Sequence, residues 1–123
     1  MEDLVFAARI AQVEIDLLAM KTTNLRVVSG ADSNAAPGPE SSMLKIKGTI
    51  IRQEINDLMR RALGPDALPF IESYFEEDSN SQYPVVDSAL PVASHYFNER
   101  KISIYGGSNE IQRGIISKMI IGL

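Results

Sequence analysis

The stretch Arg100-Lys-Ile-Ser-Ile-Tyr-Gly-Gly-Ser-Asn-Glu-Ile-Gln-Arg113 decides how the rest of the chain is read. Its adjacent glycines, Gly106 and Gly107, follow a short β-like run, Ile102 to Tyr105, and lead at once into Ser108 and Asn109, both good helix N-caps. Gln112 stands where it closes a capping box on Asn109. The segment reads as extended chain, tight turn, helix. Residues without a Cβ let the backbone take positive φ and let another molecule come close to it. The first turn of the helix beyond them offers unpaired N–H groups at the positive end of the helix dipole, which favours anionic or electron-rich ligand atoms. The same spacing also suits a plain connector between two helices.

Working outward, a fourth helix is expected over about 108–121, with Ile111, Ile115 and Met119 on one face, Ile116 and Ile120 beside it, and Gly122 as its end. Before the glycines, a third helix is expected over about 87–100, tolerating Pro91 in its first turn and carrying His95 as a surface or satisfied residue. At the start of the chain, Leu4, Ala8, Ala11, Ile15, Leu18, Leu25 and Val28 recur at steps of three and four, with Thr22 filling the one break. They mark a long amphipathic helix over about 3–29, stopped by a left-handed Gly30. After a loop-like segment, Pro39 opens a second helix over about 40–63 with the stripe Leu44, Ile51, Ile55, Leu58 and Ala62, stopped at Leu63-Gly64-Pro65. Gly48 on that stripe reads as a close helix crossing. Residues 65 to 86 have no helical or strand period and read as a loop that wraps the surface or covers a site. One domain over 1–123, all-α, built as an antiparallel four-helix bundle, is the expected architecture.

Composition narrows the function classes. The chain has 123 residues, 16 acidic against 12 basic, so its net charge of -4 argues against binding a phosphate backbone, and nucleic acid is not an expected partner. It has no cysteine and one histidine, which excludes disulfides, thiolate metal sites and a histidine-rich metal centre within one chain; metal: none is the expectation. No apolar run reaches membrane-spanning length, and Glu2 and Asp3 stand where a secretory signal would carry positive charge. A soluble cytoplasmic protein is expected.

The longer stretch Tyr96-Phe-Asn-Glu-Arg-Lys-Ile-Ser-Ile-Tyr-Gly-Gly-Ser-Asn-Glu-Ile-Gln-Arg-Gly-Ile-Ile116 closely resembles the C-terminal signature of the acyl-CoA dehydrogenase family. A second stretch, Ala36-Pro-Gly-Pro-Glu-Ser-Ser-Met-Leu-Lys-Ile-Lys-Gly-Thr49, resembles the same domain in bacterial members similar to the large subunit of pimeloyl-CoA dehydrogenase. The resemblance spans essentially the whole chain and covers only the C-terminal part of that family's architecture. The expectation is an N-terminally truncated chain without the family's N-terminal helical domain, central β-domain and first bundle helix.

The resemblance implies FAD-dependent α,β-dehydrogenation of an acyl-CoA thioester in fatty acid metabolism: a carboxylate removes the α-proton while the β-hydrogen leaves as hydride to the flavin. Gly106 occupies the position of the family's glutamate base and cannot accept a proton, so no residue of the chain is assigned as catalytic. Tyr105 and Gly107 are implied in substrate binding, with Tyr105 equally readable as core packing. Ser108, Asn109 and Glu110 are implied as cofactor contacts. The chain departs from the family where Ala62-Leu-Gly-Pro-Asp-Ala-Leu-Pro69 lacks the glutamine and glycine pair that meets a neighbouring subunit's cofactor. Two readings follow: a C-terminal domain or fragment of an acyl-CoA dehydrogenase, inactive alone, that contributes to the flavin and thioester pocket and the oligomer core; or a noncatalytic helical oligomerisation or interaction module. A homo-oligomer is expected under either.

Overall fold

Asp3 opens the first helix by accepting hydrogen bonds at Oδ1 from the backbone N–H groups of Val5 and Phe6, both at 3.0 Å, which satisfies donors that have no partner within a first helical turn. The computed structural model describes residues 3–30, 38–76 and 87–122. Its α-helices are α1 (Leu4–Gly30), α2 (Pro39–Leu63), α3 (Val92–Asn98) and α4 (Asn109–Ile120), with short 3-10 turns at Gly64–Ala67, Glu72–Phe75, Asp87–Ala89 and Glu99–Ser103. No strand occurs among the described residues, so the all-α class expected from the sequence holds. Part of the segment read as a loop, 77–86, lies outside the described residues.

Packing divides the chain into two compact units, one of residues 1–52 and 101–123, the other of residues 53–100. The first unit contains α1, the first half of α2, and α4. Only eight residues join α1 to α2. That is too short to return along a 27-residue helix, roughly 40 Å in length, so the two helices run antiparallel. Lys47 of α2 donates to Asp16 Oδ2 of α1 at 2.7 Å. A Cβ at Gly48 would meet Met20 Sδ at 3.6 Å, an ordinary contact, so the crossing there is close without requiring glycine.

The face that α1 buries is not the one its apolar pattern selects. Phe6, Arg9, Val13, Asp16, Met20, Thr23 and Val27 are the partly or fully buried positions, again at steps of three and four. The expected stripe points to solvent instead: Leu4 is 75% exposed, Ile15 62%, Leu18 67% and Leu25 56%. α4 repeats this inversion. Its expected face is exposed at Ile111, Ile115 and Met119, while the turned-in positions are Asn109, Gln112, Ile116 and Ser117. Each inward face carries one polar side chain bonded to α2, Asp16 to Lys47 on α1 and Asn109 to Lys45 and Thr49 on α4. Gly30 also departs from expectation, since it belongs to α1 and its φ is not positive.

The second unit contains the rest of α2, α3 and the turns between them, around a small core of Leu58, Ala67, Ala89, Leu90, Val92 and Ala93. Gln53 Nε2 donates to the carbonyls of Glu99 and Arg100 at 3.3 Å each, tying α2 to the end of α3. The guanidinium groups of Arg60 and Arg100 lie 5.0 and 5.5 Å from the Tyr96 ring centroid. The helix expected over 87–100 is broken into a 3-10 turn and α3, because Pro91 has no N–H to continue the ladder and disfavours helical geometry at Leu90.

Candidate functional site

The expected site begins with a correction. Glu99–Ser103 is a 3-10 turn that prolongs α3, and Ile104 and Tyr105 continue into a turn through bonds from their N–H groups to Lys101 O at 2.9 and 3.3 Å. The β-like run is therefore helical in character. Alternating apolar residues need a neighbouring strand to pair with, and none is available among the described residues. The two glycines behave as expected, Gly106 at φ +65° and Gly107 at φ +84°. Nothing lies within 4 Å of where a Cβ on Gly106 would be, so the backbone there is open to an approaching molecule.

Ser108 is the N-cap of α4, its Oγ accepting from Ile111 N at 3.4 Å. The capping box expected on Asn109 does not form. Gln112 Nε2 instead donates to Gly106 O at 2.9 Å, closing the turn from the helix side. Asn109 is the first helical residue and is only 8% exposed. Its Oδ1 accepts from Lys45 Nζ at 2.8 Å, while its Nδ2 donates to Thr49 Oγ1 at 3.1 Å. The Asn109 side chain is taken up by these contacts.

Lys45 is the residue that the motif alone does not reveal. Its ammonium donates to Ser103 O at 3.1 Å as well as to Asn109 Oδ1, so one charge pins both ends of the 104–108 segment to α2. It sits within the Ala36 to Thr49 stretch whose resemblance is legible, but nothing in its spacing points to a residue so distant in sequence. Thr49 adds a second anchor, and its own hydroxyl also donates to Ile46 O at 2.8 Å.

The outer surface of the turn carries the remaining expected residues. Tyr105 is exposed, with Lys101 Nζ 5.5 Å from its ring centroid. Glu110 is exposed, and its carboxyl is held below the usual glutamate range, first by its own backbone N–H, then by the Ser108 hydroxyl and by Arg113 and Lys45. Arg113 lies 3.7 Å from Glu110 Oε1 with both side chains in solvent, a contact of little energetic weight. Tyr105, Gly107, Ser108 and Glu110 thus share one short surface segment, with Asn109 turned inward beneath it.

In the second unit a shallow cleft of about 680 Å³ is lined by Phe70, Phe75, Ser94, His95, Phe97 and Asn98. His95 is at the surface, as expected. Among the described residues no three His, Cys, Asp or Glu side chains gather closely enough to hold a metal ion, and no helix is long and apolar enough to cross a membrane.

An all-α chain whose pinned glycine turn feeds directly into a capped helix defines a helical domain with a surface prepared for close backbone approach. Comparison with known families identifies it further: residues 1–121 match the acyl-CoA dehydrogenase C-terminal domain, and the chain belongs to that family. No curated protein and no solved structure matches the chain.

Proposed function

We propose that the chain is the C-terminal domain of an FAD-dependent acyl-CoA dehydrogenase of the type that resembles the pimeloyl-CoA dehydrogenase large subunit, and that its glycine turn forms part of the flavin and thioester pocket. The observation that carries this reading is the pinned turn itself: two consecutive left-handed glycines, open space over Gly106, and the start of α4 immediately beyond. These residues fit an electron-rich or anionic group of a cofactor. Gly107 and Tyr105 would face the acyl-CoA, and Ser108, Glu110 and the backbone of Asn109 would face the FAD. When bound, the flavin supplies a hydride acceptor.

The chain's own residues position and shield rather than transfer protons. Gly106 has no side chain to take the α-proton. Glu110 is a weak base, because hydrogen bonds stabilise its ionised form. The isolated chain is therefore expected to bind without turning over. The test is titration of the purified chain with FAD, followed by flavin fluorescence and spectral shift, with an acyl-CoA and an electron acceptor then added. Saturable binding at low micromolar affinity without turnover supports the reading; absence of binding counts against the pocket role, and turnover refutes the assignment of no catalytic residue. A second reading, a noncatalytic oligomerisation module, draws support from the apolar stripe that α1 turns outward.

A further inference from the structure

Away from the glycine turn, the second unit gathers large apolar side chains at its surface. Phe70, Phe75 and Phe97 are each more than half exposed, and all three line the cleft of about 680 Å³ together with Ser94, His95 and Asn98. Single exposed apolar residues are ordinary, but three rings around one cleft form a contiguous patch of the kind that marks an interaction surface. The rings are already ordered by one another. Phe70 and Phe75 stack with centroids 5.9 Å apart, and Tyr74 meets Phe75 edge-on at 5.1 Å, so a partner has little side-chain freedom to remove. From α3, Ser94, Phe97 and Asn98 come to the same side because they stand three and four residues apart. The Ser94 hydroxyl donates to Pro91 O at 2.8 Å, which leaves its lone pairs for a partner's N–H group, and the exposed Asn98 amide can both donate and accept.

The charge of this part of the chain is one-sided. Between Arg61 and Arg100 stand seven acidic residues and no lysine or arginine. Glu72 and Glu76, before and after Phe75, are exposed, as are Asp66 and Asp87. The second unit has nine acidic residues against three basic ones, a net charge of -6, although the whole chain carries only -4. Its three cations are engaged: Arg60 and Arg61 bind Asp57, and Arg60 and Arg100 lie against the Tyr96 ring. We propose that the cleft docks a basic polypeptide segment of another protein, which inserts a large apolar side chain among the phenylalanine rings and sets lysine or arginine beside Glu72 and Glu76. Charge complementarity selects this occupant. Nucleic acid or an acidic membrane is repelled. A second copy docking by the same face sets these carboxylates against their own counterparts. A neutral apolar ligand fills the space among the rings but makes no use of the carboxylates.

This docking surface does not rest on FAD or acyl-CoA binding, and its readouts need neither. Selection from a phage library of random dodecapeptides on the immobilised native chain tests it, with counter-selection on a chain carrying Phe70→Ser and Phe97→Ser. Both side chains are exposed, and circular dichroism checks that the helices remain. Enriched peptides are expected to carry net positive charge with a large apolar residue among the basic ones. A synthetic copy of the most enriched peptide is expected to bind the native chain saturably, at micromolar affinity, in fluorescence anisotropy. Its affinity should fall about tenfold in Phe97→Ser and about tenfold in a chain carrying Glu72→Lys and Glu76→Lys. It should also fall about fivefold as salt rises from about 50 to about 200 mM. The charge-reversed chain keeps every ring, so a loss there reads charge recognition apart from the apolar contact. No enrichment over the counter-selecting chain, enrichment of neutral or acidic peptides, or equal binding by the charge-reversed chain would overturn the proposal. So would self-association of the native chain that Phe70→Ser with Phe97→Ser abolishes, since a second copy would then be the occupant.

Discussion

Replacing Lys45 with methionine tests the role of the ammonium that holds the glycine turn. Methionine keeps most of the apolar stem, so packing along α2 changes little and the loss is dominated by two hydrogen bonds, 3.1 Å to Ser103 O and 2.8 Å to Asn109 Oδ1. A bond to a charged donor is worth about 1.5–3 kcal/mol when shielded from water. Lys45 is half-buried, so water partly replaces the ammonium in the variant and the lower end of that range applies. Asn109 also keeps its pairing with Thr49. The expected loss is about 2 kcal/mol, seen in urea unfolding followed by circular dichroism, with a fall of about 8 °C in Tm. Thr49→Val, which removes neutral bonds only, is expected to cost about 1 kcal/mol. Native-state hydrogen exchange adds a local readout: the amides of residues 104–108 should exchange faster in Lys45→Met even where α1 does not. A loss below about 0.5 kcal/mol, or unchanged exchange in the turn, would refute the claim that one charge fastens both ends of this segment.

Glycine substitutions should separate strain from propensity. Gly114→Ala, in an exposed stretch of α4 with nothing within 4 Å of the new Cβ, should stabilise the chain by about 0.5–1 kcal/mol. Gly107→Ala should instead cost about 1–2 kcal/mol for its left-handed backbone. It should cost more than Gly106→Ala, because its Cβ would sit 2.8 Å from Gln112 Nε2 and displace the side chain that closes the turn. Equal losses at the two glycines would show that Gln112 contributes nothing to the turn. For Glu110 the folded carboxyl titrates below its ordinary range, so its contribution to stability is present above that range and is lost as pH falls through the lowered value. Melting curves across acid pH should accordingly show the native chain more stable than Glu110→Gln near neutrality and the two converging at low pH; a difference that does not vary with pH contradicts the assignment.

Much of the local structure was legible because it follows from short-range chemistry. Pro39 opens α2, Gly64 at φ +57° ends it with Pro65 beyond, and the glycine pair before Ser108 turns the chain into α4. Each depends on one or two residues and on backbone geometry that few residue types can adopt. The break at Leu90–Pro91 was readable in principle from the same rule, but the apolar residues on both sides outweighed it in the reading. The family signature from Tyr96 to Ile116 was legible for another reason, since its residues are contiguous and carry their own turn and cap.

The stripe expected on α2 does turn inward at Leu44, Ile51, Ile55 and Leu58, but which faces of α1 and α4 turn inward was beyond reach. In α1 the two stripes, Leu4 to Leu25 and Phe6 to Val27, have the same three-four spacing, and hydropathy favours the one that proves exposed. The choice is made by pairings between distant residues: Asp16 with Lys47, Asn109 with Lys45 and Thr49. Hydrogen bonds between elements depend on where the elements come to lie, and periodicity along one helix holds no information about its neighbours. The amino-acid sequence by itself determined the helical class, the stops and the position of the glycine turn, because these are local backbone preferences. Only the tertiary structure decided that a lysine on α2 fastens that turn and that the most apolar face of α1 is turned outward, because both are properties of packing between segments far apart in the chain.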